Sequence, residues 1–368
     1  MGTSMKTFHC DVCTGPLFFE NSVCTQCNSP VGYFPDRNEM AAFKGKRQRP
    51  CRNYEAEQIC NWMIAAEDPE DYCVSCRLTR IIPSLAQPGN RALWHSLEIA
   101  KRRLVYTLLD LGLPVVSKTV DAEQGLAFEF KADEAGEGET PVLTGHAEGV
   151  ITLNIAEADD AERERRRTQL REPYRTLLGH FRHETGHYYW DLLIRDSERI
   201  ADFRRMFGDE RADYAQAMQH HYDSGPPADW QRSFVSAYAS SHPWEDWAET
   251  WAHYLHMTDS LDTASALGIA VRPVSRKAPR IVPARGLAGF GDLSGSWASL
   301  TCALNCLNRS MGLQDAYPFV LSESALSKLH YVHELVSGDD PRVARDRAAP
   351  AGMMRRPGVS RPPIAAVG

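Results

Sequence analysis

"HFRHETGHYYWDLL", residues 180–193, places three histidines and a glutamate within eight positions of an aromatic and aliphatic stretch. Its apolar residues recur at helical spacing, so the stretch reads as a helix. Positions i and i+4 of a helix face the same way, one turn apart. His183 and His187 can therefore each offer a ring nitrogen to one ion. Glu184 is displaced from the ligand positions yet close enough to take a proton from a water on that ion. This is the physical content of the H-E-x-x-H pattern, and it points to a zinc-dependent hydrolase. The competing reading is a polar seam in which the histidines serve packing alone. Gly186 lets another element approach closely. His180 lies three residues before His183 on nearly the same face and reads as a histidine hydrogen-bonded nearby, with a ligand role as the lesser alternative.

Two histidines do not complete such a site, because a catalytic zinc usually takes three protein ligands and keeps a fourth position for water. The best source of the third is "YASSHPWEDWAETWAHYLH", residues 238–256, which reads as a helix beginning after Pro243. Glu245 and Glu249 stand four apart on one face among Trp, Ala and Tyr. Two acids in that setting are costly unless they coordinate or hydrogen-bond something. Glu245 reads as the ligand and Glu249 as the acid that orients a ligand histidine; the reversed assignment stays open. Asp246 faces elsewhere and suits the acidic first turn of a helix.

The chain has 368 residues, 43% of them hydrophobic and 24% charged, which fits a folded protein with one large domain and room for small ones. A net charge of −7 argues against a nucleic-acid scaffold. No apolar leader or membrane span is visible, so a cytosolic location is expected. Eight of the ten cysteines fall in the first 76 residues, and in a reducing compartment such clustering points to metal before disulfides. Cys10, Cys13, Cys24 and Cys27 form two CxxC knuckles, a strong zinc-ribbon signal. Cys51, Cys60, Cys73 and Cys76 are less regular but still close four thiolates, and a second structural zinc is expected there. Exchange of cysteines between the two groups stays open. Cys302 and Cys306, four apart on a predicted helix, read as small residues facing the core. "AAFKGKRQRPCRN", residues 41–53, concentrates positive charge between the modules; it reads as a solvated linker, with a phosphate-bearing partner as the alternative.

Along the chain, "YEAEQICNWMI" (54–64) suggests a short helix and "RALWHSLEIAKRRLVYTLLDLGL" (91–113) a long amphipathic one. "GLAFEFKAD" (125–133) and "GVITLNIAEAD" (149–159) alternate as strands, with a loop and one short strand between them. Helical patterning runs from Asp160 to about residue 194, with Pro173 near the start of a second helix. Residues 268–295 read as a long loop. "WASLTCALNCLNRSMGL" (297–313) returns to helix with Gly312 as its stop, and "SESALSKLHYVHELVSG" (322–338) reads as the last helix. The Pro- and Arg-rich remainder reads as disordered. The organisation expected is a zinc ribbon over 5–45, a second cysteine-rich zinc module over 46–85, a catalytic domain over 86–337 and a tail over 338–368.

"HETGH" together with "YASSHPWEDWAE" resembles the gluzincin metallopeptidases, in which a later helix supplies a glutamate ligand and another acid four residues on. In the branch related to anthrax lethal factor, a tyrosine seven residues before that glutamate stabilises the oxyanion, and Tyr238 stands at this spacing from Glu245. More closely, "EPYRTLLGHFRHETGHYYWDLL", "HPWEDWAETWAHYLH" and "LNRSMGLQDAYPFVLS" are similar to a bacterial family of zinc-binding metallopeptidases with an N-terminal zinc ribbon. The resemblance covers nearly the whole chain up to about residue 337. It implies an α+β, mainly helical zincin-like domain with a small sheet, preceded by the cysteine-rich modules. The expected activity is peptide hydrolysis, with one catalytic zinc on His183, His187 and Glu245, Glu184 as general base and Tyr238 as oxyanion donor. The strand at 149–159 is the candidate edge for an extended peptide or protein substrate. The rival reading is a non-catalytic scaffold that binds a protein or, less readily, a nucleic acid through its N-terminal modules.

Overall fold

Short cysteine-rich hairpins open the chain because each CxxC knuckle forces a tight turn. The structure, a computed structural model, describes residues 7–43, 49–133, 142–170, 172–271 and 289–338. β1 (Phe8–His9) pairs with β2 (Pro16–Leu17), and β3 (Val31–Phe34) with β4 (Glu39–Ala42). The amides of Thr14 and Asn28 close the two knuckles onto the carbonyls of Cys10 and Cys24, at 2.8 and 2.9 Å. β5 (Arg49–Pro50) pairs with β6 (Met63–Ile64), with the one-turn helix α1 (Arg52–Glu55) between them. The helix expected over 54–64 is thus confined to its first residues. Gln58 takes a left-handed φ of 55°, which turns the chain so that Cys51 and Cys60 reach one cluster.

A mixed sheet follows, built from β7 (Thr79–Ile81), β8 (Ala127–Lys131), β9 (Gly145–Ala147) and β10 (Val150–Asn154) in the order β7-β8-β10-β9. β7, β8 and β10 run parallel, and β9 runs antiparallel to β10. The strand expected to be the free edge, residues 149–159, is therefore flanked on both sides. The edges are β7 and β9, and a two-residue hairpin folds β9 back onto β10. Its turn residues, Glu148 and Gly149, both have positive φ (47° and 78°), as the twist of a tight hairpin demands. A Cβ on Gly149 would come within 2.3 Å of the Gly125 carbonyl oxygen.

The helices pack on one another and on this sheet. They are α2 (Asn90–Asp110), α3 (Asp160–Gln169), α4 (Leu177–Leu193), α5 (Ile200–Phe207), α6 (Tyr214–Ser224), α7 (Pro243–Ala266), α8 (Phe290–Ser310) and α9 (Glu323–Ser337). The α+β architecture implied by the resemblance is the one observed. Pro173 lies ahead of α4 rather than in its first turn; Thr176 caps that helix by accepting the Gly179 amide at 3.0 Å. α8 begins seven residues before the expected helix start at Trp297. Cys302 and Cys306 are exposed rather than facing the core, because α8 buries the opposite side through Leu293, Trp297 and Leu300. The rest of the expected loop, 272–288, and the tail from 339 lie outside the described residues.

One continuous apolar core runs from Phe8 to Val336. Phe19, Tyr33 and Trp62 of the cysteine-rich part meet Tyr106 of α2 in a cluster with ring centroids 4.8–6.0 Å apart. α2 also packs on α4, so the cysteine modules support the helix against which the H-E-x-x-H helix rests. Among the described residues no helix is long and apolar enough to cross a membrane.

Candidate metal centre

α4 and α7 cross at Gly186, where the absent side chain lets the backbones meet: a Cβ there would stand 2.8 Å from the Ala248 Cα. Trp247 Nε1 donates to the Gly186 carbonyl at 2.8 Å, and Tyr189 stacks on Trp251 at 4.8 Å. This crossing brings the second turn of α4 onto the first turns of α7. His183 and His187 consequently face Glu245, with ligand-competent atoms of all three within 4.8 Å of one another. The two Nε2 atoms lie 3.2 Å apart, and His183 Nε2 is 3.0 Å from Glu245 Oε2.

Glu249, one turn along α7, does not join that group. Its Oε1 stands 2.8 Å from His183 Nδ1, on the far side of the ring, and Ser236 Oγ donates to its Oε2 at 2.6 Å. Tyr214, at the start of α6, donates to Glu245 Oε1 at 2.8 Å. The ring of His187 packs against Trp244, with centroids 3.9 Å apart. Tyr214, Ser236 and Trp244 went unnoticed in the sequence because a lone Tyr, Ser or Trp carries no spacing signal. Asp246 turns away and pairs with Lys328 of α9 at 2.6 Å. His180 also points away from the three ligand-competent residues, 3.2 Å from Glu157. Arg166 and Arg175 reach the same carboxylate.

The residues fit a divalent cation. Burial opposes charge on Glu245, yet the imidazoles of His187 and His183 hold its carboxyl well below the usual carboxylate range. Burial likewise opposes charge on Glu249, but the hydrogen bond to His183 brings its carboxyl down to about 2. Ring nitrogens directed at one another and at a carboxylate oxygen are the donor set of a zinc site. Glu184 lines the same cleft, and burial raises its carboxyl above the ordinary value, as suits a general base. Tyr238 also lines it, its ring 5.9 Å from that of His183. Burial and the Glu245 charge keep its hydroxyl protonated. The cleft encloses about 50 Å³. That admits an ion and a few waters, against the several hundred Å³ (roughly 300 or more) of a typical ligand pocket.

The cysteines gather four and four in chain order, as Cys10, Cys13, Cys24, Cys27 and as Cys51, Cys60, Cys73, Cys76. All are free thiols, and the Sγ pairs Cys10–Cys27, Cys13–Cys24 and Cys60–Cys73 lie 3.7, 3.6 and 3.8 Å apart. A tetrahedron of thiolates around zinc has edges of about 3.8 Å, given Zn–S bonds of about 2.3 Å. In the second cluster the amides of Cys73, Trp62 and Cys76 donate to Cys51, Cys60 and Cys73 Sγ at 3.3–3.4 Å. Arg102 of α2, buried, donates to the Ile59 carbonyl at 2.6 Å, one residue from Cys60, and the Cys60 charge supports its own.

Three clusters of metal-competent side chains on an α+β scaffold define a metal-binding protein. The comparisons give the family. Residues 90–335 match the family described as "putative zinc-binding metallo-peptidase", and residues 7–87 match a zinc-ribbon domain. The chain belongs to this zinc-binding metallopeptidase family. It is 44% identical over 334 residues to an uncharacterized protein of Mycobacterium bovis and to its counterparts in two strains of Mycobacterium tuberculosis. The alignment covers 90% of this chain and 95% of each relative. No solved structure matches the chain significantly.

Proposed function

We propose that the protein is a gluzincin-like zinc peptidase acting in the cytosol, with one catalytic and two structural zinc ions. The observation that carries this reading is the convergence of His183, His187 and Glu245 beside a buried glutamate, in a cleft with room left over. A structural site would close its fourth position with another Cys or His, and among the described residues none joins these three.

When bound, zinc supplies a Lewis acid that acidifies water and polarises the scissile carbonyl. Glu184 takes the proton of the attacking water and passes it to the leaving nitrogen. The Tyr238 hydroxyl donates to the oxygen on which charge develops. Glu249 holds the His183 ring with Nε2 toward the ion, and Tyr214 fixes the Glu245 carboxylate. β9, the edge strand lining the cleft, offers unpaired backbone groups to an extended peptide. In this reading the substrate lies along Gly145–Ala147 rather than along β10.

The test is a zinc count paired with a fluorogenic peptide-library assay on wild type, Glu184→Gln and His187→Ala. Wild type should hold about three zinc ions and cleave at least one peptide; Glu184→Gln should keep all three and lose more than about 99% of turnover. His187→Ala should fall to about two with the fold retained. Activity persisting in Glu184→Gln would remove the assigned base, and an unchanged zinc count in His187→Ala would make the protein a zinc-ribbon scaffold.

A further inference from the structure

His146 sits in the middle of β9, opposite Ile151 of β10, and is only 8% exposed. Its Nε2 accepts the amide of Gly149 at 3.0 Å, across the hairpin turn. A neutral imidazole has one N–H, and with Nε2 accepting, that proton is on Nδ1. Nδ1 is itself buried and meets no hydrogen-bond partner among the described residues. The ring lines the cleft together with His183, Glu184, His187 and Tyr238. It lies nearly parallel to the His187 ring, with centroids 6.4 Å apart and 18° between planes.

A buried donor left unpaired costs about 1–3 kcal/mol, and such a group in a native protein needs an account. Its ring sits on a strand edge that lines the cleft, beside a proposed metal ligand. A carbonyl oxygen is the acceptor that a peptide lying along β9 would bring. We infer that His146 is a substrate-binding residue, whose Nδ1–H donates to a backbone carbonyl of the bound peptide next to the scissile bond. The Gly149 amide sets the tautomer, so the hairpin turn holds the donor ready. The inference rests on the peptidase reading above and deepens it: the substrate must present a backbone carbonyl there, which a simple ester or amide of a small acid lacks.

Two substitutions separate this role from a structural one. Asn places an amide nitrogen where Nδ1 stands and cannot reach Gly149. Gln can accept from Gly149 but offers no donor near the Nδ1 position. On the zinc-loaded full chain, dissociation constants are measured for acetohydroxamate, which engages the metal alone, and for a panel of peptidyl hydroxamates extending to either side of it. His146→Gln should weaken the tightest peptidyl hydroxamate about 5- to 10-fold, the loss of one hydrogen bond. His146→Asn should stay within about twofold, while melting at lower temperature than His146→Gln. Acetohydroxamate should bind all three proteins alike. The inference is overturned if His146→Gln binds the peptidyl compound like wild type, if His146→Asn loses as much as His146→Gln, or if wild type prefers no peptidyl compound to acetohydroxamate. Failure of zinc-loaded wild type to bind acetohydroxamate would instead remove the peptidase reading itself.

Discussion

Ser236 Oγ donates to Glu249 and at the same time accepts the Ala239 amide at 3.1 Å, so its hydroxyl hydrogen has one direction to point. Glu249 in turn fixes the His183 ring through Nδ1. This chain of three side chains decides which imidazole nitrogen faces His187 and Glu245, a task that charge alone does not accomplish. Ser236→Ala should therefore raise the dissociation constant for zinc at the His183–His187–Glu245 site about tenfold while leaving zinc at the two cysteine clusters and the helical content unchanged. Competition against a chelator of known affinity reads this directly. Equal affinity in the variant would show that Glu249 holds His183 without help. His187 has no such support among the described residues: its buried Nδ1 meets no hydrogen-bond partner there, and Trp244 holds the ring by packing. The two histidines of one motif are thus oriented by different physics.

At the scale of elements, the α4–α7 crossing assembles the centre. Ala is intrinsically the better helix former by about 1 kcal/mol, so Gly186→Ala would stabilise an isolated α4. In the protein the new methyl meets the Ala248 Cα at 2.8 Å and the Trp251 Cβ at 3.2 Å, and backbone cannot step aside as a side chain would. Overpacking of this kind costs about 1–3 kcal/mol. Urea unfolding should show a net loss in that range, together with weaker zinc binding as Glu245 is pushed from His183. A more stable variant would mean that the helices separate without strain. α6 is held more lightly. It buries one residue, Met218, starts at the cap Asp213 and ends at Gly225, which has a positive φ of 73°. Its Tyr214 nonetheless reaches the proposed ligand Glu245.

At the scale of the whole molecule, the cysteine-rich region and the helical region share one core. Tyr106 of α2 closes over Phe19 and Tyr33, and Arg102 is buried beside the second cysteine cluster with no carboxylate pairing it among the described residues. Four thiolates on zinc carry net negative charge, which is what a buried guanidinium needs. A fragment starting at Asn90 should therefore lose its cooperative thermal transition, although it contains all of the H-E-x-x-H centre. Calorimetry on the fragment and the full chain decides the matter, and a fragment melting like the parent would show the modules to be dispensable for folding.

Local spacing was enough for the sequence to place His183, Glu184 and His187 on one helix, to pair Cys10-x-x-Cys13 with Cys24-x-x-Cys27, and to set Glu245 and Glu249 four apart. Helical period and knuckle spacing are short-range properties of covalent geometry, so they can be read without a partner. Tertiary structure decided which glutamate faces both imidazoles, because that depends on the crossing angle at Gly186. It also decided that β9, three residues long, is a sheet edge, since a strand that short has no period to detect. Tyr214 and Ser236 reach Glu245 and Glu249 across 31 and 13 residues through hydrogen bonds that exist only once the helices have packed, and His146 lines the cleft only once its hairpin lies on the sheet.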